Sequence, residues 1–544
     1  MGGLVEAEAV SRLQQQKQSA RRTPWKHLVP VAWETSALSS SNGFRLSPQQ
    51  AHLWAQLVPS PDTPYRAQCV VELQGPLDKP RLERAVREVL SRNEILRTTY
   101  RQLPGSETAV QVPGEVPAPV LRELDWTGPR AQWWSHLLED LLLGPSEDPW
   151  SYTPEERAPE EPGGLWLATL GPERHLLVVD LPALSADRQG LACLVRELAG
   201  AWEAQGGGEP LPEPAMQYAD VSEVFQQLLE AEEAREGQRH WEGLVLPASD
   251  TRAPERTFSP SSWRPRELPP GFTASVKAAA GRIGVPVTSF VLACWQLLLA
   301  RLSERLEWSV AVRFDGRTYE GLDEAIGLFE RYLPLRCEVR ARARFSDFAR
   351  EVARATQDTV AWQEYFDVAK VPPFPFAFED FTWPEEHHHD GLTFTPLRLS
   401  ACTSRFELKL SCGQRQGMLD LELQTDGARH PSETMGERLL ALLETAAANP
   451  ERTLESLPVM HRNELQWLES LHRTERPYDN RIEQTIAAIP PSPRSPGTSD
   501  RRGPEQRRPP HRASSESRTG PRNSPRRAEA ANEPPLTEQP LRSR

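Results

Sequence analysis

The residues of this chain that could do chemistry gather around one short segment, Pro182 to Arg188, which reads PALSADR. Its polar members include Ser185 and Asp187. A carboxylate can serve as a general base, and a serine can serve as a nucleophile when a basic partner activates it. Ser185 has no basic partner in this segment, which favours a role as a turn or capping hydroxyl.

Two other titratable residues lie close to this segment. Asp180 is three residues before Ala183, so in an extended strand it points to the opposite face. It could serve Ala183 only if the backbone turned early, at Pro182. His175 lies at the far end of the same strand, and we expect it to be exposed. Neither residue is a convincing base for chemistry at Ala183.

The elements around the segment are a strand and a helix. Leu176 to Val179 is a continuous apolar run, which is typical of a strand covered on both faces. Four apolar residues then recur at helical spacing: Leu191, Leu194, Val195 and Leu198. Asp187 stands where a helix N-cap is expected. The sequence therefore predicts a strand, a short turn and an amphipathic helix.

This arrangement resembles the active-site turn of nonribosomal peptide synthetase condensation domains, whose pattern is HHxxxDG. Pro182 and Ala183 stand at the two histidine positions, Asp187 matches the aspartate, and Arg188 replaces the glycine. In the family, the second histidine accepts or orients the proton of the attacking amine, a task that suits an imidazole. The resemblance therefore implies that the frame of an acyltransferase site is present and that its catalytic residues are not intact.

Other segments resemble the same family in the same order along the chain. Phe44 to Leu57 resembles the opening motif and begins a helix well, with Ser47 as N-cap and Pro48 at the first helical position. The remaining matches are Gly75 to Tyr100 with Asn93 for the usual histidine, Gln217 to Trp241, Ile326 to Arg336 with Glu330 and Arg331 for valine and asparagine, Arg405 to Leu410, and Pro450 to Leu468. An ordered series of motifs is more specific than any single one.

The resemblance implies an α/β fold with two chloramphenicol acetyltransferase-like lobes in a V-shaped pseudo-dimer. The predicted organisation is an N-terminal arm or linker at 1–42, an N-terminal lobe at 43–214, a C-terminal lobe at 215–475 and a tail at 476–544. Hydrophobic patterns within the second lobe predict a buried helix over Thr288–Leu302, a strand over Trp308–Val312 and an amphipathic helix over Phe345–Val360.

The tail at 476–544 is dense in proline, arginine, serine and glutamate. Such a segment cannot bury enough apolar surface to offset its ordering entropy, so we expect it to be disordered. In the family an adenylation domain would begin here, and Ile482 to Ala488 resembles that beginning. Two interpretations stay open: an ordinary disordered tail, and a truncation or frame shift of the gene near Ala488.

Composition argues against several classes of function. The formal net charge of −13 disfavours nucleic acid or an anionic membrane as the main partner. The longest apolar run, Phe290 to Ala300, is too short to span a bilayer, and no secretory signal is visible, so we expect a cytoplasmic protein. The six cysteines form no CxxC pair, which favours reduced core thiols. Acidic neighbours of His387 to His389 favour a solvated loop over a metal site.

The resemblance also implies partners and residue roles. In the family, carrier proteins deliver thioesters on phosphopantetheine arms, so we expect carrier proteins and neighbouring synthetase modules as partners and no cofactor bound by this chain itself. The chain would be a monomer or part of a larger assembly line. The aspartate of the motif is chiefly structural and pairs with an arginine. Arg313 and Arg317 are therefore the candidate partners of Asp187.

Two functions remain open, and with them whether the chain is an enzyme. The first is a catalytically impaired module that still binds carrier proteins as a scaffold, gate or docking unit. The second is a divergent acyltransferase or condensing enzyme that forms an amide or ester by positioning its substrates. Positioning alone contributes several kcal/mol to such reactions, on the order of 7 or more in well-oriented cases.

Overall fold

The structure is a computed structural model that describes residues 43–57, 65–102, 109–116, 121–125, 164–232, 234–244, 260–265, 267–303, 307–367, 374–426 and 432–460, together with positions 464, 466 and 470. Residues 1–472 form one compact unit, to which all of these belong. The predicted arm at 1–42 and the predicted tail at 476–544 lie outside the described residues.

The described residues form nine α-helices. They are α1 Pro48–Leu57, α2 Lys79–Arg92, α3 Arg188–Gln205, α4 Tyr218–Glu230, α5 Ala234–Glu242, α6 Phe272–Ile283, α7 Val287–Ser303, α8 Phe345–Val360 and α9 Ser432–Ala448. α8 has the predicted bounds, and α7 extends the predicted helix by one residue at each end. Helix α1 begins with a reciprocal cap, because the Gln50 amide donates to Ser47 Oγ at 3.1 Å and the Ser47 amide donates to Gln50 Oε1 at 3.0 Å.

Fifteen strands lie among the described residues. They are β1 Phe44–Arg45, β2 Arg66–Gln74, β3 Thr98–Gln102, β4 Ala109–Pro113, β5 Arg122–Asp125, β6 Gly164–Gly171, β7 Arg174–Pro182, β8 Pro260–Trp263, β9 Glu307–Phe314, β10 Arg331–Glu338, β11 Phe376–Thr382, β12 His387–His389, β13 Leu392–Ala401, β14 Leu408–Arg415 and β15 Met418–Asp426. They form a first sheet in the order β12-β13-β2-β7-β6-β5, a second sheet in the order β10-β9-β11-β14-β15-β8, and a small sheet of β1, β4 and β3.

Two large hydrophobic cores accompany the two main sheets. The first core includes α2, α3 and the inner face of the first sheet, and the second includes α6, α7, α8 and α9 with the second sheet. The residues after 214 do not all belong to the second core. Helix α4 and the segment around Phe329 pack into the first core, and β13 pairs antiparallel with β2 in the first sheet. The chain therefore crosses between the two sheets after β11.

Two sequence expectations are wrong in the described region. His387–His389 is not a loop but strand β12, because it pairs antiparallel with β13 beside the buried side chains of Leu392 and Phe394. His175 is buried rather than exposed, with its imidazole Nδ1 3.3 Å from the Thr169 hydroxyl. In both cases pairing with a neighbouring strand decides the structure, although only His175 is buried by it and His388 stays exposed.

No single helix among the described residues has the length and apolar composition of a membrane span; α6 and α7 meet that criterion only as a pair bent by 97°. The six cysteines, all within the described residues, are present as thiols, and five of them are buried.

Candidate functional site

The turn between β7 and α3 carries the two positions that the resemblance assigns to histidine. Pro182 is the last residue of β7 and is half-buried. The Ala183 amide donates to the Tyr65 main-chain oxygen at 3.0 Å, and the Ala183 methyl is 1% exposed within the first core. Neither side chain can accept or release a proton, so these two positions hold the shape of the turn and supply no acid or base.

A neutral hydrogen-bond frame closes the turn. Tyr100 donates its hydroxyl to the Leu184 carbonyl at 3.0 Å and lies 3.1 Å from the Ser185 hydroxyl. The Gln50 side-chain amide donates to the same carbonyl at 3.0 Å. Ser185 is fully buried, and burial raises the pKa of Tyr100. Ser185 therefore supports the turn and has no activating base beside it.

The Asp180 carboxylate is hydrogen-bonded to residues of the neighbouring strand β2. The Arg66 guanidinium donates to its carboxylate through two nitrogens, one at 2.8 Å, and the Gln68 side-chain amide donates at 3.1 Å. Asp180 lies three residues before Ala183, and its carboxylate already accepts hydrogen bonds from Arg66 and Gln68. It is therefore unavailable as a base in the turn.

Asp187 is the polar centre of the site. It caps α3 by accepting a hydrogen bond from the Gly190 amide at 2.7 Å. The main-chain amides of Phe329 and Glu330 donate to its other oxygen at 2.8 and 3.0 Å. The Arg317 guanidinium completes the set in a two-point contact at 2.9 and 3.0 Å. One buried carboxylate thus joins the start of α3 to the segment before β10.

The charges around Asp187 keep it ionised. Burial acts to raise its pKa, but the charge and hydrogen bonds of Arg317 outweigh burial, so the pKa lies below its usual value. Both side chains of this pair have 0% exposure. The arginine guanidinium matches a carboxylate with two parallel donors, which gives the pair a fixed orientation. Of the two predicted arginine candidates, Arg317 is the one that contacts Asp187.

Arg313 pairs with a different acid. Its Nε donates to Glu330 at 2.7 Å, and its Nη1 donates to the Asp380 main-chain oxygen at 3.0 Å. The Thr403 hydroxyl donates to the other oxygen of Glu330 at 2.6 Å. Burial raises the pKa of Glu330; Arg313 opposes this rise, and the nearby charges of Asp187 and Glu379 add to it. Arg313 therefore lies in the same buried region as Asp187 but neutralises Glu330.

Arg188, at the position of the family glycine, reaches from α3 to the second sheet. Its Nε donates to the Leu399 carbonyl at 3.0 Å, and its Nη1 donates to Glu379 at 3.0 Å. Its Nη2 lies 3.9 Å from Glu422, and the guanidinium lies 4.0 Å from the centre of the Phe381 ring. A glycine at this position could make none of these contacts.

Arg188, Glu379, Lys409, Glu422 and Arg264 form what we call the bridging cluster. Lys409 Nζ lies 3.1 Å from Glu379, and Arg264 Nη2 lies 2.6 Å from Glu422. Each glutamate thus has two cations nearby. Burial acts to raise the pKa of Glu422, but the charges of Arg264 and Arg188 outweigh it and lower the pKa to about 2.

Sequence analysis did not identify Glu379, Lys409 or Glu422. Each lies in an apolar strand, in FAFEDFT, LKLSCGQR and MLDLELQTD respectively. Buried charges need partners. A charged residue among the inward-facing apolar positions of a strand is therefore the sequence signal from which these three residues could have been identified.

A cavity of about 470 Å³ lies beside Arg188. α3 forms one wall, and the ends of β9 and β11 with the helices α7 and α8 form the others. Ala183 is not among the lining residues. In the part of the chain that the structure describes, no group of three histidine, cysteine, aspartate or glutamate residues could hold a metal ion.

Comparison with known proteins gives one family. A family model described as "Condensation domain" matches residues 165–370. Bacitracin synthase 3 from Bacillus licheniformis is 24% identical over 426 residues, which cover 74% of this chain and 6% of that protein. The chain therefore spans only a small part of the length of this relative.

Two solved structures have a similar fold. The first condensation domain of the CDA synthetase has a TM-score of 0.63 and 20% identity, and the match covers 77% of this chain and 99% of that one. The X-domain in the complex of the X-domain and OxyB from teicoplanin biosynthesis has a TM-score of 0.60 and 21% identity, and covers 77% and 96% of the two chains.

These matches confirm the predicted mixed α/β, chloramphenicol acetyltransferase-like fold. The family model, the synthetase relative and the solved structures agree with the ordered motifs and with the strand–turn–helix at Asp187. The chain is therefore similar to the condensation domains of nonribosomal peptide synthetases, and its residues 165–370 match the model of that family.

Proposed function

We propose that this chain is a condensation-domain module that binds carrier proteins on a nonribosomal peptide synthetase line and has lost acid–base catalysis. The observation that carries this proposal is the buried methyl of Ala183, where the family motif has its second histidine. General acid–base assistance is worth on the order of a hundred- to ten-thousand-fold in rate. Its removal leaves a module suited to binding, gating or docking.

The surroundings of Ala183 support the loss of the base rather than its relocation. Asp180 is held by Arg66 and Gln68, and Ser185 is held by Tyr100. The retained part of the motif, Asp187, is fully occupied in joining α3 to the segment before β10. The hydrogen-bonded structure of the motif is therefore kept, whereas the residue that would transfer a proton is missing.

A binding role has support from a protein of similar fold. The X-domain of teicoplanin biosynthesis is known in a complex with OxyB. A condensation-like fold can thus serve as a docking surface for another protein of a biosynthetic line. For this chain, the proposed partners are carrier proteins and neighbouring modules, with phosphopantetheine thioesters arriving on the carriers and no cofactor held by the chain itself.

The test is to incubate the full chain with two loaded carrier proteins and follow both by intact-mass spectrometry, while calorimetry measures carrier binding. We expect binding without transfer of the acyl group. Ala183→Val, which enlarges an apolar side chain and adds no acid or base, is the matched control and should behave like the wild type. Failure of both loaded and unloaded carriers to bind would contradict the module assignment.

The cavity beside Arg188 favours a second candidate, a divergent acyltransferase that works by positioning. The same experiment separates the two functions. Transfer by the wild type that is lost in Thr356→Phe, which fills part of that cavity, would replace the first proposal with this one.

A further inference from the structure

The cavity beside Arg188 is lined by apolar and polar side chains in similar proportion. Its apolar lining comes from Leu292, Phe314, Phe378, Phe381 and Leu399. Asp315 and Thr382 also line it and are exposed, so the cavity reaches solvent at the ends of β9 and β11. A volume of about 470 Å³ lies within the usual range of small-molecule sites, about 300–1,000 Å³.

The strand β11 sends two different sets of side chains to its two faces. Phe378, Asp380 and Thr382 alternate along the strand and line the cavity, which Phe381 of the other face also reaches beside Arg188. Glu379 points the other way, into the bridging cluster, where Arg188 and Lys409 neutralise it. Asp380 is therefore separated from the cations that serve its neighbour.

Asp380 has an unusual position for a carboxylate. It is half-buried, and among the described residues no other side chain lies within hydrogen-bond or ion-pair distance of its carboxylate oxygens. Arg313 contacts only its main-chain oxygen, at 3.0 Å. Burial raises the pKa of Asp380; the charge of Arg313 opposes this rise, and the nearby charges of Glu379 and Asp315 add to it.

The other charged residues that line the cavity already have partners. Arg188 is bound to Glu379, Arg313 is bound to Glu330, and Asp315 accepts a hydrogen bond from Arg317 at 2.9 Å. The cations of the lining are thus neutralised by buried acids, whereas the Asp380 carboxylate is left to face the cavity. A half-buried carboxylate beside apolar side chains is stabilised by a cation that enters with its own apolar body.

We propose that this cavity binds a small organic cation, a primary ammonium group on a compact aromatic or branched aliphatic body. The ammonium group donates to the Asp380 carboxylate, and the hydroxyls of Thr288 and Thr382 lie on the same lining as further acceptors. The body packs against Phe314, Phe378 and Phe381. The site is independent of the proposed carrier-binding function, since Ala183 is not part of it and the ligand arrives free in solution.

The test uses three probes of one shape: 2-phenylethylammonium, the neutral 2-phenylethanol and the anionic 2-phenylacetate. Calorimetry on the full chain, without any carrier protein, should show saturable binding of the ammonium probe. The alcohol and the carboxylate should bind at least ten-fold more weakly. Equal affinities for the three probes, or no binding of any of them, would overturn the proposal.

Variants then locate the site. Asp380→Asn should weaken binding of the ammonium probe at least ten-fold, whereas Asp358→Asn, an exposed aspartate on α8 that does not line the cavity, should leave the affinity unchanged. Thr356→Phe fills part of the cavity while leaving Asp380 in place, and should also abolish binding. Unchanged affinity in both Asp380→Asn and Thr356→Phe would place the ligand elsewhere and refute the assignment. Because no carrier takes part, this result does not depend on whether carriers bind.

Discussion

The segment 182–188 connects two regions that use different kinds of polar group. The turn after β7 lies at its start, and the bridging cluster begins at its last residue, Arg188. The turn is held by neutral donors and acceptors from Tyr100, Ser185 and Gln50. The bridging cluster is held by full charges, with Arg188 facing Glu379 and Glu422. The position that the family uses for proton transfer is neutral here, while the position where the family has glycine carries a buried cation.

This contrast shows that the turn can keep its backbone conformation without keeping a group that transfers protons. A neutral hydrogen-bond frame can keep a backbone conformation at small cost, because each bond contributes about 1 kcal/mol and leaves no charge to neutralise. Buried charges constrain geometry more strongly, since an unpaired one is costly. If buried charge fixes the geometry more strongly than neutral hydrogen bonds do, substitutions of buried charged residues should cost more stability than substitutions in the turn.

The largest effect is expected at the Asp187–Arg317 pair. Arg317→Met removes the cation from a carboxylate with 0% exposure, and breaking such a pair should lower the free energy of unfolding by about 3–5 kcal/mol. Urea unfolding measures it. The matched control is Arg336→Met at the exposed pair with Glu307, where about 0–1 kcal/mol is expected. Similar losses in the two variants would remove the distinction between buried and exposed charge on which the comparison depends.

The next largest loss of stability is expected when acid protonates Glu422 in the bridging cluster. The pKa of Glu422 in the folded protein is about 2, below the usual value of about 4.3, so the unfolded chain binds its proton more tightly. The ionised group therefore stabilises the fold above about pH 4.3, by about 3 kcal/mol, and this contribution is lost as the pH falls from about 4.3 toward 2.

Urea unfolding between pH 6 and pH 3 measures the part of this loss that falls above pH 3. Glu422→Gln should show a shallower fall in stability than the wild type, whereas Glu307→Gln at an exposed ion pair should follow the wild-type curve. Parallel curves for the wild type and Glu422→Gln would show that Glu422 is not linked to acid stability.

Much of the local structure around these regions is predictable from sequence, because it depends on near neighbours. The apolar run before the turn, the helical spacing after it and the Asp187 cap predict the strand–turn–helix that the structure contains. α8 has its predicted bounds because its apolar positions repeat at helical spacing and a helix forms from local contacts.

The long-range arrangement is not predictable in the same way. Arg188 and Glu379 are 191 residues apart, and nothing near either residue indicates the other. The passage of β13 into the first sheet depends on pairing with β2, which brings Leu399 opposite Cys69. The strand at His387–His389 forms for the same reason, since its pairing with β13 outweighs its polar sequence.

A smaller effect is expected at Arg188 than at Arg317. In Arg188→Met, Glu379 keeps Lys409 and Glu422 keeps Arg264, so neither acid is left alone. We expect a loss of about 2 kcal/mol, below the range for an uncompensated buried charge. In the double variant Arg188→Met with Glu379→Gln the two losses should be less than additive, because both substitutions break the same ion pair. A double variant less stable than the sum of its single variants would contradict this explanation.

The smallest effect is expected in the neutral frame of the turn. Tyr100→Phe removes a hydroxyl that donates to the Leu184 carbonyl and contacts Ser185, and should cost about 1 kcal/mol of unfolding free energy. Ser185→Ala should cost a similar amount. Because the two hydroxyls contact each other, the double variant should cost less than the sum, and urea unfolding of all three measures the coupling. A loss at Tyr100 as large as that at Arg317 would mean that the neutral frame, and not the buried charge, holds the start of α3 in place.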